Sequence, residues 1–148
     1  LEINGANTIR FDLTDDNVNQ LTIDSSGLTL NTNTWYHVVF TYDGSSSATG
    51  MNFYLDGSLT SKTIFRNQTL STITYTSINL NIGARENGVK PWNGKLDEVA
   101  IFNTALSADK IQQIYDATAV VGGVPQTANL FTGGLSSSLV YWNRMGDS

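Results

Sequence analysis

The sequence predicts an all-β, antiparallel sandwich closed by one short helix, and three observations carry that expectation. Over residues 1–102 apolar residues alternate with polar ones in short runs, the period-2 pattern of half-buried strands. Each run ends on Gly, Asn, Asp or Ser, the residues that supply turns. Only after Phe102 does the period lengthen to that of a helix. With 148 residues and a hydrophobic fraction of 40%, there is material for a single core and none for a second full domain.

The elements can be justified in order. Ile9, Phe11 and Leu13 share one face of the run at 9–13, because successive strand residues point to opposite sides. Residues 21–23 and 28–30 repeat the pattern in miniature. Residues 35–43 are expected to form the longest strand, with Tyr36, Val38, Phe40 and Tyr42 on one face and Trp35, His37, Val39 and Thr41 on the other. Apolar groups on both faces mark it as central. After the loop 44–50, Met51, Phe53 and Leu55 point one way, and Asp56-Gly57 supplies the positive-φ pair of a tight hairpin. Residues 58–65 should then run back as one antiparallel strand. Ile78, Leu80 and Ile82 form another inward set, the loop 84–93 follows, and 94–102 returns as a strand. In 105–115, Ser107 is placed to cap, Asp109 lies in the first turn, and Ile111, Ile114 and Tyr115 recur at helical spacing. Residues 117–138, rich in Gly, Ser, Thr and Ala and holding Pro125, read as a linker. Leu139-Val140-Tyr141-Trp142 begins a new strand.

Composition narrows the function classes. Charged residues make up only 14% and the net charge is −5, which argues against a nucleic-acid backbone or an anionic membrane as partner, since both need a basic face. The absence of Cys removes disulfides, thiolate metal sites and Cys nucleophiles. No apolar run approaches membrane-spanning length, so no membrane insertion is expected.

The stretch Asn33-Thr34-Trp35-Tyr36-His37-Val38-Val39-Phe40-Thr41-Tyr42-Asp43-Gly44, followed by Asn52-Phe53-Tyr54-Leu55-Asp56-Gly57, resembles the central signature of laminin-G-like jelly rolls in the concanavalin A-like lectin/glucanase superfamily. Leu80-Asn81-Ile82-Gly83-Ala84, then Asn93 to Phe102, then Ala105-Leu106-Ser107 with its helix, are similar to the family's last strands and closing helix in order and spacing. The resemblance implies a concanavalin-like jelly-roll sandwich over residues 1–117 from which the usual first strands are missing. Residues 118–138 then form a linker. Residues 139–148 resemble the opening strand of another such domain, of a kind seen in tandem repeats on phage and marine microbial surface proteins; they are either the start of a following repeat or a tail that completes the sandwich. A sandwich without its first strands exposes unpaired backbone groups, so strand addition from a neighbouring chain, a neighbouring repeat or the tail itself is expected.

The candidate chemistry follows. Glycosidases of this fold use paired carboxylates, usually a Glu-x-Asp-x-x-Glu run, and this chain has none. Asp97 and Glu98 are adjacent on an expected strand and so point to opposite faces; the resemblance makes Asp97 a framework residue. His37 has no acid or hydroxyl at triad-like spacing and reads as structural. No catalytic residue, and no enzyme, is expected.

Calcium takes carboxylate, amide and carbonyl oxygens collected on loops. Glu86 and Asn87 in the loop after residue 84 supply such ligands, where related pentraxin domains place theirs, and Asp15-Asp16-Asn17 is a second oxygen-rich cluster. The plainer reading of both is solvated turn residues. A sugar site needs an aromatic platform beside amides, and Trp92 with Asn87 and Asn93 offers one; the plainer reading is a hydrophobic plug at the sandwich end. Trp35, Tyr42, Phe53 and Tyr54 are expected in the core or between strands, and Tyr141 and Trp142 in strand pairing. The expected function is a non-catalytic carbohydrate-binding or adhesion module, possessing calcium if Glu86 and Asn87 hold it, on an extracellular, cell-surface or virion-surface protein. The alternative is a purely structural building block of a fibre, capsid decoration or tandem-repeat protein.

Overall fold

The computed structural model describes residues 2–4, 8–15, 18–71, 81–84, 91–118 and 128–145. The chain divides into two compact units, one of Leu1–Ile73 with Thr104–Asn129 and the other of Thr74–Asn103 with Leu130–Ser148.

The first unit holds two antiparallel sheets and the helix. One sheet has the order β1-β2-β3-β7, built from β1 (Glu2–Asn4), β2 (Thr8–Asp15), β3 (Asn19–Ser25) and β7 (Lys62–Asn67). The other has the order β4-β5-β6, built from β4 (Val38–Tyr42), β5 (Met51–Leu55) and β6 (Ser58–Leu59). Between them lies the core. Ile9, Leu21 and Ile23 from the first sheet cluster with Met51 and Phe53 from the second, together with Ala48 and Leu70. Phe11 and Phe40 bridge the layers at 4.5 Å, and Phe40 lies 5.0 Å from its cross-strand partner Phe53, both pairs tilted. Offset, tilted rings suit the quadrupoles of aromatic pairs. The all-β antiparallel sandwich expected from the alternation is therefore the observed one.

Several elements differ from expectation, each for a physical reason. Among the described residues the longest strand is β2, with 8 residues, whereas β4 has 5 and lies at one end of its sheet. It starts only at Val38 because Asp56 takes over at the hairpin mouth: the His37 N–H donates to the Asp56 carboxylate at 2.9 Å and the Asp56 N–H to the His37 carbonyl at 2.8 Å. Trp35 consequently lies outside the strand and is 36% exposed, not core. The Asp56-Gly57 turn is as expected, with φ of 49° and 77° and Leu55 paired to Ser58. Residues 58–65, however, do not form one strand. β6 ends at Leu59, and after Thr60 and Ser61 the chain crosses to the other sheet as β7. Lys62 ties that crossing down: its ammonium donates to the Thr49 carbonyl at 2.8 Å, to the Met51 carbonyl and to the Asn52 amide oxygen at 3.3 Å. Burial pushes this ammonium's pKa down, and the Asp43 carboxylate opposes the shift. Leu28 and Leu30 pack against the core without joining a sheet.

The helix α1 spans Ala108–Thr118. Ser107 caps it as expected, accepting the Lys110 N–H on its hydroxyl at 3.4 Å and the Ile111 N–H on its carbonyl at 3.0 Å. Ile111 and Ile114 are its buried residues. The helix runs three residues beyond the expected end at Tyr115, into the stretch read as linker, and the Thr118 hydroxyl bonds back to the Ile114 and Tyr115 carbonyls at 3.0 and 3.1 Å.

The second unit contains β8 (Val99–Phe102) and β9 (Leu139–Asn143), paired antiparallel with Val99 opposite Asn143, Ala100 opposite Trp142 and Ile101 opposite Tyr141. The expected strand at 94–102 is cut to four residues because Glu98 has φ of 52°, a conformation no strand admits. The Asp97 carboxylate accepts the Glu98 N–H at 2.9 Å and stabilises that turn. The expected strand at 78–82 falls mainly outside the described residues.

Candidate functional site

Glu86 and Asn87 lie outside the described residues. The other two residues of the expected sugar site are adjacent in the second unit, where the Trp92 N–H donates to the Gly83 carbonyl at 2.6 Å. The indole is half-buried, its Nε1 is shielded from solvent and has no acceptor, and Asn93 is exposed. Gly94 permits this seat: a Cβ there would lie 2.9 Å from Nε1. The polar edge of Trp92 is thus turned into the protein, and Asn93 supplies the accessible amide.

Of the Asp15-Asp16-Asn17 cluster, Asp15 serves the fold, and Asp16 and Asn17 lie outside the described residues. Asp15 is fully buried and its carboxylate accepts the N–H and side-chain amide of Asn19 at 2.9 and 3.2 Å, and the N–H and hydroxyl of Ser71 at 2.7 and 2.9 Å. The Ser71 backbone bond is the main reason its pKa falls far below the ordinary carboxylate value. Four donors occupy both oxygens, so this carboxylate latches β2 to the segment after β7 and is spent as a ligand. Among the described residues no group of three or more His, Asp or Glu side chains gathers to hold a metal.

His37 is half-buried beside Tyr115, the ring centroids 5.8 Å apart. Burial lowers its pKa, the nearby Asp56 acting against the shift, and its Nδ1 has no hydrogen-bond partner. A neutral imidazole against a tyrosine ring is a packing group.

Glu98 and Trp142 have a role that adjacency in sequence concealed. The Trp142 indole N–H donates to the Glu98 carboxylate at 2.6 Å, and Arg144 approaches the other oxygen at 3.4 Å. Phe131 meets Trp142 edge-on at 5.3 Å. Trp142 therefore serves strand pairing through a side-chain clamp as well as the ladder, while Asp97 holds the turn at Glu98. The two neighbouring carboxylates have separate structural tasks.

The arrangement best suited to a ligand lies on the outer face of the β1-β2-β3-β7 sheet, and residue-type spacing did not reveal it. Arg10 on β2 forms a two-pronged ion pair with Asp24 on β3, at 2.7 and 2.8 Å, with side chains only 19% and 17% exposed. The Arg10 guanidinium lies 4.3 Å from the centroid of Phe65 and the Arg66 guanidinium 5.1 Å. Phe65 is 54% exposed. Its aim comes from a bulge: Ile23 pairs with Ile64 and Thr22 with Arg66, so Phe65 is the extra residue. Beside it Thr22 donates its hydroxyl to Asp12 at 2.7 Å, and Arg66 donates to the Gln20 amide oxygen. The sequence signal was the polar partner set of β2, Arg10 and Asp12 alternating with Ile9, Phe11 and Leu13; the bulge that adds Phe65 has no such signal.

Two facing antiparallel sheets around an aromatic-bridged core, capped by one helix, define the class as a concanavalin-like sandwich module. The chain belongs to the Laminin_G_3 family of the concanavalin A-like lectin/glucanases superfamily, whose model matches residues 1–112. It is also similar to a crystal structure of residues 221–444 of an S-layer domain-containing protein from Clostridium thermocellum, with 26% identity and a TM-score of 0.44. That similarity covers 74% of this chain and 52% of the other, so the chain spans about half the length of that structure. A search of curated proteins finds no match. Among the described residues no helix is long and apolar enough to cross a membrane.

Proposed function

We propose that this chain is a non-catalytic carbohydrate-binding module of an extracellular, cell-surface or virion-surface protein. The observation that carries the reading is the outer sheet face: an exposed aromatic, Phe65, held beside the ion-paired Arg10 and Asp24. An aromatic platform next to fixed hydrogen-bonding groups is what a pyranose ring requires, apolar on its faces and hydroxylated at its rim. Membership of a superfamily of lectins and glucanases is consistent with it, by analogy of fold. Trp92 and Asn93 offer a second contact, with calcium held at Glu86 and Asn87. A glycan array probed with the wild-type chain, with and without a chelator, tests the reading. Saccharide binding supports it, loss on chelation supports the calcium site, and absence of binding to any saccharide refutes it.

One observation favours a second reading, a structural building block assembled by strand pairing. β9 pairs with β8 along four residues and clamps it through Trp142, so this edge accepts an added strand of that sequence. Light scattering over a range of concentrations distinguishes the readings, because a building block forms ordered oligomers and a simple binding module stays monomeric.

A further inference from the structure

Resting on the carbohydrate reading above, we infer that the outer sheet face at Phe65 and Arg66 selects an acidic saccharide. A hexuronate ring stacks on Phe65 and its carboxylate pairs with Arg66.

Charge distinguishes this ligand from a neutral sugar. The chain carries a net charge of −5, so an uncompensated cation on its surface runs against the mean field. Arg10 is neutralised by Asp24. Arg66 is not: it is exposed, it bonds the neutral Gln20 amide, and among the described residues it has no carboxylate partner. A guanidinium presents five N–H donors in a planar fork that fits a carboxylate bidentately, and the Gln20 bond uses one of them.

Placement supports the same ligand. The bulge presents Phe65 outward on the strand that also carries Arg66, and both guanidinium groups lie near its ring, at 4.3 and 5.1 Å. The Arg10–Asp24 pair fixes the inner guanidinium, so the ring and its surroundings are organised before a ligand arrives. That lowers the ordering cost of binding. Thr63, opposite Asp24 in the ladder, and Gln20 stand at the margin to bond hydroxyls. A neutral hexose would use the ring and leave the Arg66 charge unanswered.

The test is calorimetric titration with hexagalacturonate and, separately, with cellohexaose. Phe65→Ala, Arg66→Gln, Arg66→Lys and Trp92→Ala are compared with the wild type, and folding is checked by circular dichroism. The expected result is preferential binding of hexagalacturonate, weakened by salt. Arg66→Gln should weaken it by about tenfold or more, the equivalent of one charge-assisted hydrogen bond, with Arg66→Lys restoring part of the loss and Trp92→Ala leaving it unchanged. Should Phe65→Ala fail to fold, the Arg66 pair decides the matter alone. Equal affinity for the two oligosaccharides, or wild-type affinity in Arg66→Gln, overturns the inference. Binding of cellohexaose that is lost in Trp92→Ala and kept in Phe65→Ala and Arg66→Gln overturns it while the carbohydrate reading stands. Binding of neither probe or any arrayed saccharide overturns both.

Discussion

Removing the Trp142 indole N–H should loosen β9 without unfolding the sandwich. In Trp142→Phe the ring that meets Phe131 is largely kept, and what disappears is one bond, at 2.6 Å, to a carboxylate only 18% exposed. A hydrogen bond to a charged, mostly desolvated group is worth about 1.5–3 kcal/mol. Arg144, at 3.4 Å and 45% exposed, is a solvent-screened partner worth no more than about 1 kcal/mol. Trp142→Phe should therefore cost about 2 kcal/mol, which accelerates opening of the β8–β9 pair about thirtyfold. Arg144→Ala should change it by less than about fivefold. Native-state amide hydrogen exchange reads this directly, through the protected amides of residues 99–102 and 139–143 set against those of β4 and β5. The reasoning is refuted if Arg144→Ala accelerates exchange more than Trp142→Phe does. It is equally refuted if Trp142→Phe accelerates β4 and β5 as much as β8.

Three further outcomes are expected. Phe53→Ala, which empties a fully buried aromatic site packed on Phe40, should lower stability by about 3–5 kcal/mol in a urea titration. Because burial depresses the His37 pKa below its ordinary 6.5, the unfolded chain takes up this proton before the folded one does. Stability is therefore full above about pH 6.5 and declines below it until the folded imidazole also protonates, and His37→Phe should flatten that decline in thermal melts taken as pH falls through the ordinary histidine value. The lowered Asp15 pKa makes its contribution present above the unfolded value of 3.8 and lost as pH falls toward the folded value. Asp15→Asn should thus lower the midpoint of melting at pH 7 and narrow the difference between variant and wild type at pH 3.

Much of the fold was legible because it depends on local chemistry. The Asp56-Gly57 hairpin follows from two residues that tolerate positive φ, the Ser107 cap from a hydroxyl preceding a helical run, and the core of Ile9, Leu21, Ile23, Met51 and Phe53 from strict alternation. Less was legible at the candidate sites. Trp92 and Asn93 were placed together by being adjacent, yet the burial of the indole nitrogen depends on Gly83 and Gly94.

The sequence by itself determined the class of fold, the position of its turns and helix, and the exclusion of thiol chemistry, all set by residue type and period. Only the tertiary structure decided that residues 58–65 serve two sheets, that Glu98 breaks its strand to receive Trp142, and that a bulge turns Phe65 outward between two arginines. The physical reason is common to all three. Strand pairing and side-chain clamps join residues far apart in the chain, Arg10 with Asp24 or Glu98 with Trp142, and a one-residue shift of register moves a side chain from one face to the other.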